Sequence, residues 1–322
     1  MPDDVVVIGA GVSGLTTAIC LVDAGLRVRI VTEKQPLDTT SAVAGAMWGK
    51  GPGTSEPAER ITAWSAVTFT EFAGLAEDPA TGVRFARGIE ATREPVAPPV
   101  ADQARSVVRC TPDELPAGFR AGHRLTVPLV DMPTYLAYLL QRFTSAGGVV
   151  APGVVRTRAD LAGAAPVVVN CAGVAARDLV PDRTVAPVRG QHVVVANPGL
   201  DDFFVEETDG SSWVSYFPHG DKVVLGGIAG EGDWNLTPDP ATAADIIRWC
   251  AAVEPRLAGA PVLAHLVGLR PTRPAVRVAE EQVNGTRWVH NYGHGGMGVT
   301  LSWGCAREVE RLLCGTDPDS GS

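Results

Sequence analysis

Residues 5 to 15 read VVVIGAGVSGL, and this short stretch decides the fold. Val5 to Ile8 is an unbroken apolar run, as in a strand covered on both faces. Gly9, Gly11 and Gly14 follow at G-x-G-x-x-G spacing, and Leu15, Ala18, Ile19, Leu21 and Val22 then recur at helical intervals until Gly25. Arg27 to Thr32, RVRIVT, reads as a second strand. Strand, glycine turn, helix and strand in close succession make a βαβ unit with a right-handed crossover, so the sheet is parallel at its heart.

The motif stands where its chemistry requires, after a strand and at the start of a helix. The first glycine permits the turn. The second lets the backbone of Ala10, Gly11, Val12 and Ser13 approach a pyrophosphate at the positive helix end, and Gly14 lets the helix lie on the strand. Glu33, with Lys34 beside it, closes the second strand nineteen residues past Gly14, in place to accept the hydroxyls of an adenosine ribose. The plain alternative is a tight βα turn with no ligand.

A second glycine-rich element lies near the other end of the chain. HNYGHGGMGVTLSWGCA, His290 to Ala306, sets Gly295, Gly296 and Gly298 beside His294 and Tyr292, with Met297, Val299 and Thr300 interleaved. Backbone there comes close to something flat or phosphorylated, and a nucleotide gripped from both ends of a chain suggests FAD; a nicotinamide enzyme needs only the first grip. Thr39, Thr40 and Ser41 precede the small residues Ala44, Gly45 and Ala46 and then Met47, a loop that would let hydroxyls meet phosphates and a ring lie on backbone. Arg270 and Arg273, in GLRPTRPAVR, each precede a proline and so sit on extended, stiffened chain. A fixed guanidinium suits a carboxylate, by two parallel hydrogen bonds, or else a structural ion pair. Trp213 and Tyr216 lie on one strand, WVSYF, as pocket lining or core.

Composition narrows the partners. Net charge is −9, and no basic run interleaves with aromatics, which argues against nucleic acid. Six cysteines, Cys20, Cys110, Cys171, Cys250, Cys305 and Cys314, form no C-x-x-C pair, and the glycines around His290 and His294 oppose a helix that would align two metal ligands. Neither metal nor disulfide framework is expected. No apolar run reaches membrane-spanning length, the N-terminus lacks a secretory pattern, and the C-terminus lacks a Ser-Lys-Leu address, so the expected location is cytoplasmic.

The helical period returns at Met132 to Ala146, and VVVNC, Val167 to Cys171, supplies another buried strand. Ahead of these, after the first βαβ unit, lie a helix near Glu59 to Ala76 and a strand near Val83 to Glu90. HVVVA, WVSYF and KVVLGG, at 192–196, 213–217 and 222–227, alternate like an antiparallel sheet. Trp288 to Asn291 and Gly298 to Leu313 give a last strand and a closing helix. The expected architecture is α/β: a discontinuous Rossmann-like domain with a parallel sheet over 1–48, 134–185 and 265–315, interleaved with a mixed or antiparallel-sheet substrate domain over 49–133 and 186–264. A polar tail covers 316–322.

Taken together, VVVIGAGVSGLTTA, TTSAVAGAMW, VVNCAGVAARDL, PVRGQ, KVVLGGIAGEGDWN, GLRPTRPAVR and HNYGHGGMGVTLSWGCA resemble the D-amino-acid oxidase family, in order and over nearly the whole chain. The resemblance implies non-covalent FAD, held in part by Cys171, Ala172 and Gly173, and Arg270 on the substrate carboxylate. It also implies the backbone at Gly296 on the amino group, and Gly295 to Thr300 along the flavin's carbonyl edge. A hydride passes from the alpha carbon to the flavin, O2 reoxidises the cofactor to release hydrogen peroxide, and the imino acid hydrolyses to a keto acid. No catalytic protein base is strictly required, and neutral or apolar D-amino acids are the expected substrates. Rival readings are glycine, a secondary amine or a specialised amino acid as substrate, and a non-catalytic flavin-binding protein. Relatives in the family suggest a homodimer. One departure matters: where the family commonly has tyrosine three residues before the strand proline, this chain has Ser215, with Tyr216 one step later. Either a bulge returns Tyr216 to the pocket, or Ser215 and Trp213 line it. Met297 stands where an aromatic is frequent, giving a softer wall.

Overall fold

A computed structural model of the chain describes residues 3–49, 58–97 and 99–315; the expected tail at 316–322 lies outside the described residues. The chain runs β1 (Val5–Ile8), α1 (Val12–Asp23), β2 (Val28–Thr32), α2 (Ala58–Leu75), β3 (Val83–Thr92), β4 (Arg105–Arg109), β5 (Ala121–Val130), α3 (Met132–Ser145), β6 (Val149–Pro152) and β7 (Val167–Asn170). It continues through α4 (Ala176–Leu179), β8 (Ala186–Ala196), β9 (Phe203–Glu206), β10 (Ser212–His219), β11 (Lys222–Ile228), β12 (Gly230–Glu231), α5 (Pro240–Val253), β13 (Val262–Val283), β14 (Thr286–His294) and α6 (Gly298–Cys314).

Among the described residues these strands form one sheet, ordered β4-β5-β3-β9-β10-β11-β8-β13-β14-β7-β1-β2-β6, with β12 paired to β8. From β14 to β6 every pairing is parallel. On the other side all pairings are antiparallel except β3 with β9. The apolar run of β1 is explained by cover on both faces. Val5 and Val7 belong to the buried cluster that α1, α2, α3 and α6 help to build, whereas Val6 and Ile8 belong to another with Leu161, Ala176, Leu179 and Trp288.

The two halves share β13. Its residues 262–272 pair with β8, and residues 272–283 pair with β14, the register shifting between Thr272 and Arg277, where Pro274 withholds an N–H. Arg270 therefore sits just before the strand changes partners. The expected domain boundary after 264 falls inside this strand.

Two elements differ from the sequence reading. The expected sheet segment 186–264 is not all sheet: α5 interrupts it, capped by the Asp239 carboxylate, which accepts from Thr242 N at 2.9 Å, and opened by Pro240. Tyr216 does not reach the pocket. A bulge does lie between Ser212 and Ser215, but Tyr216 follows Ser215 on the opposite face, stacked on Phe204 at 5.8 Å in the core beneath α5.

Candidate active site

The glycine turn after β1 is held by close packing. Gly9 has φ 97°, and its N–H donates to the Val31 carbonyl at 2.9 Å, which pulls the turn toward β2. A Cβ on Gly14 would lie 1.9 Å from the Gly9 oxygen, so only glycine lets α1 start there. Gly14 thus packs helix on turn and stays off the cleft wall. Gly11, at the N-cap of α1, offers no side-chain cap, and the first turn carries no acid. The Ser41 hydroxyl takes the Val12 N–H at 3.0 Å, leaving the positive helix end open to an anion.

A long cleft runs from this turn. At one end it is walled by Glu33 and Lys34, then by residues 9–13, the hydroxyl residues Thr39 to Ser41, Ala44, and Cys171 to Ala175. It ends against Asn291, His294, Gly295, Gly296, Gly298 and Val299. A second cavity adjoins it, walled by Gly45, Ala46, Met47, Trp213, Ser215, Phe217, Thr272 and Thr300, and by the chain from Glu206 to Ser211. Ala44, His192, Arg270, Gly296 and Val299 border both. Met297 borders neither: it is 6% exposed and belongs to the core, so it is not the soft wall that was expected.

Arg270 is held at the junction. Nη1 donates to the Ile228 carbonyl at 2.9 Å, the guanidinium lies 5.6 Å from the Trp213 ring centre, and a Cβ on Gly190 would come within 2.6 Å of Nη2. Among the described residues no carboxylate pairs with it. Burial draws its pKa down to about 10, so it remains cationic at neutral pH. A buried cation without a counter-ion is costly and marks a place for an anion from outside. Arg273 differs: its Nε donates to Asp182 at 2.9 Å, the structural ion pair that was the other reading of these arginines.

His192 was read only as part of a strand, yet it borders both cavities. Its Nδ1–H donates to the Val43 carbonyl at 2.8 Å, and burial, then Arg270, push its pKa down to about 4. The ring beside the guanidinium is neutral, so the positive charge at this junction of the two cavities is that of Arg270. Gly268 was also unmarked; a Cβ there would lie 2.7 Å from Val43, so glycine lets β13 close on the Thr39–Ala44 segment. The signal for both was present in the PVRGQH and VGLRP runs, but nothing local says which strand faces lie inward.

The cleft fits a dinucleotide: an open helix end, hydroxyls over it, an acid in ribose register, and a glycine-walled far end beside a guanidinium with no carboxylate partner among the described residues. Among the described residues no group of three His, Cys, Asp or Glu side chains could hold a metal ion, and no helix is long and apolar enough to cross a membrane. Comparison with known proteins places the chain. It is 49% identical over 310 residues to a D-amino-acid oxidase of Rubrobacter xylanophilus, covering 95% of this chain and 94% of that one. It is 47% identical to a D-amino-acid oxidase of Streptomyces coelicolor, covering 96% of each, and 35% identical to a human D-aspartate oxidase, covering 96% and 94%. The structure of glycine oxidase from Geobacillus kaustophilus shares the fold, with TM-score 0.83 at 20% identity over 99% of this chain and 96% of that one. The model of the FAD dependent oxidoreductase family matches residues 4–312, and the chain belongs to that family.

Proposed function

We propose that the protein oxidises the Cα–N bond of D-amino acids with FAD in the long cleft, yielding an imino acid that hydrolyses to a 2-oxo acid and ammonia, while O2 becomes hydrogen peroxide. The observation that carries this reading is Arg270, a guanidinium with no carboxylate partner among the described residues, set where the two cavities meet beside Gly296. The likeness to the D-amino-acid oxidases of Rubrobacter xylanophilus and Streptomyces coelicolor supports it. Bound FAD supplies the two-electron acceptor. The chain's own work is placement: Arg270 takes the carboxylate through two N–H groups, the Gly296 backbone receives the amine, and Ser215, Trp213 and Met47 bound the side chain.

Neutral or apolar side chains fit this wall. Among the described residues Arg270 is its only Arg or Lys, and Glu207, Asp209 and Glu231 line it, so a second substrate carboxylate meets no second cation among them. Purified protein should be yellow, and anaerobic D-valine or D-alanine should bleach it; an oxidised spectrum that persists through a panel of D-amino acids rejects the proposal. A second reading, glycine or a secondary amine as substrate, draws on Ser215 standing at the wall with Tyr216 turned into the core. Faster bleaching by glycine or sarcosine than by any D-amino acid would select it. From the family resemblance we read the assembly as a cytoplasmic homodimer, which fractionation and sedimentation equilibrium check.

A further inference from the structure

His294 ends β14, 3% exposed as a residue, on the wall of the cofactor cleft. Its proton can be placed by working back from a carbonyl. The Ser13 carbonyl only accepts, so Thr17 Oγ1, 2.6 Å away, donates to it. Thr17 Oγ1 is then left as acceptor for Asn291, 3.0 Å away, which identifies the amide nitrogen Nδ2 on that side. Asn291 Oδ1 consequently faces His294 and accepts from Nε2 at 2.9 Å. Burial alone pushes the His294 pKa down to about 4, and no charged side chain on β14, β13, α1 or α6 contributes to that shift. At neutral pH the single ring proton is therefore on Nε2. Nδ1 is a bare lone pair that meets no protein donor among the described residues.

Such an acceptor repels phosphate oxygens and suits a donor. The pyrophosphate belongs at the α1 N-terminus and the adenosine end at Glu33, so the far end of the cleft, where His294 lies, receives the other half of the cofactor. We propose that His294 is a positioning residue for FAD: Nδ1 accepts a hydrogen bond from an O–H or N–H of the ribityl-flavin half, and Thr17 and Asn291 fix the tautomer that makes this contact. The chain of bonds also ties the two glycine-rich elements together, since Thr17 is on α1 and Asn291 on β14. The inference rests on FAD occupying the cleft and is independent of the substrate.

The test is the pH profile of FAD binding to apoprotein, with wild type as reference. In Asn291→Asp the new carboxylate faces His294 and raises its pKa toward neutrality, so that Nδ1 gains a proton as pH falls and ceases to accept. The ratio of the variant's FAD dissociation constant to that of wild type should rise about fivefold or more between about pH 8 and about pH 6. A simultaneous change in the flavin's visible maxima assigns the donor to the ring; constant maxima assign it to a ribityl hydroxyl. A flat ratio, with imidazole NMR showing His294 titrating in that interval, overturns the proposal. Thr17→Val and Thr17→Ser give a second route. Valine removes the acceptor for Asn291, so nitrogen NMR should reveal an Nδ1-protonated tautomer and FAD affinity should fall, whereas serine restores both; unchanged affinity in the valine variant with the tautomer altered also overturns it. A wild-type apoprotein that takes up no FAD removes instead the cofactor reading on which the inference stands.

Discussion

Arg270 owes its reach to a glycine and a carbonyl rather than to an opposing acid. Gly190 leaves room for the guanidinium, and the Ile228 carbonyl holds Nη1 in place. With a substrate carboxylate bound, the fork is satisfied; with the side chain removed, that carboxylate would be buried without a partner. Arg270→Ala should thus lower kcat/KM for D-amino acids by a factor corresponding to about 3 kcal/mol, with the flavin spectrum retained, since the side chain only borders the cofactor cleft. Steady-state kinetics with a range of D-amino acids read this directly. A variant with near-wild-type kcat/KM would show that the acid is gripped elsewhere.

At the scale of elements, what holds the cleft together is the start of α1. Gly14→Ala drives a Cβ into the Gly9 oxygen, and the expected outcome is loss of FAD uptake together with destabilisation of about 1–3 kcal/mol, seen in flavin titration and denaturant unfolding. The cap of α5 is a contrasting case. Asp239→Ala should cost about 1 kcal/mol in unfolding free energy while FAD affinity stays put, because that helix packs on β8, β10 and β11, off the cofactor cleft. These elements also mark the reach of sequence reading. The βαβ unit was legible because every constraint on Gly9, Gly11, Gly14 and Glu33 is local. So was the guanidinium candidate at Arg270, from its flanking prolines and its resemblance. Tyr216 was not: alternation says that Ser215 and Tyr216 face opposite ways, but only the packing of Phe204 and α5 decides which one is inward. Asp239 and Pro240 did announce a helix start within what was read as sheet. The double pairing of β13 and the inward face of His192 depend on partners far along the chain, and no short-range pattern carries them.

For the molecule as a whole, buried imidazoles set the response to acid. His192, His219, His290 and His294 are each pushed by burial from 6.5 down to about 4. In the unfolded chain they take up protons as pH drops below about 6.5, whereas in the folded protein they stay neutral until about 4. The unfolded state binds more protons throughout that window, so stability is lost as pH falls, each group contributing a slope that approaches about 1.4 kcal/mol per pH unit. Urea midpoints should drop between about pH 7.5 and about pH 5.5, and a midpoint that holds steady contradicts the assignment of neutral rings. A last consequence concerns traffic through the site. The 22-residue β13 is one strand shared by both halves, its residues 262–272 laddered to β8 and 272–283 to β14, so a swing of one half against the other would have to bend this strand where it changes partners. Admission of an amino acid and escape of its product are then expected along the wall that the chain from Glu206 to Ser211 gives the second cavity, with no swing of one half against the other.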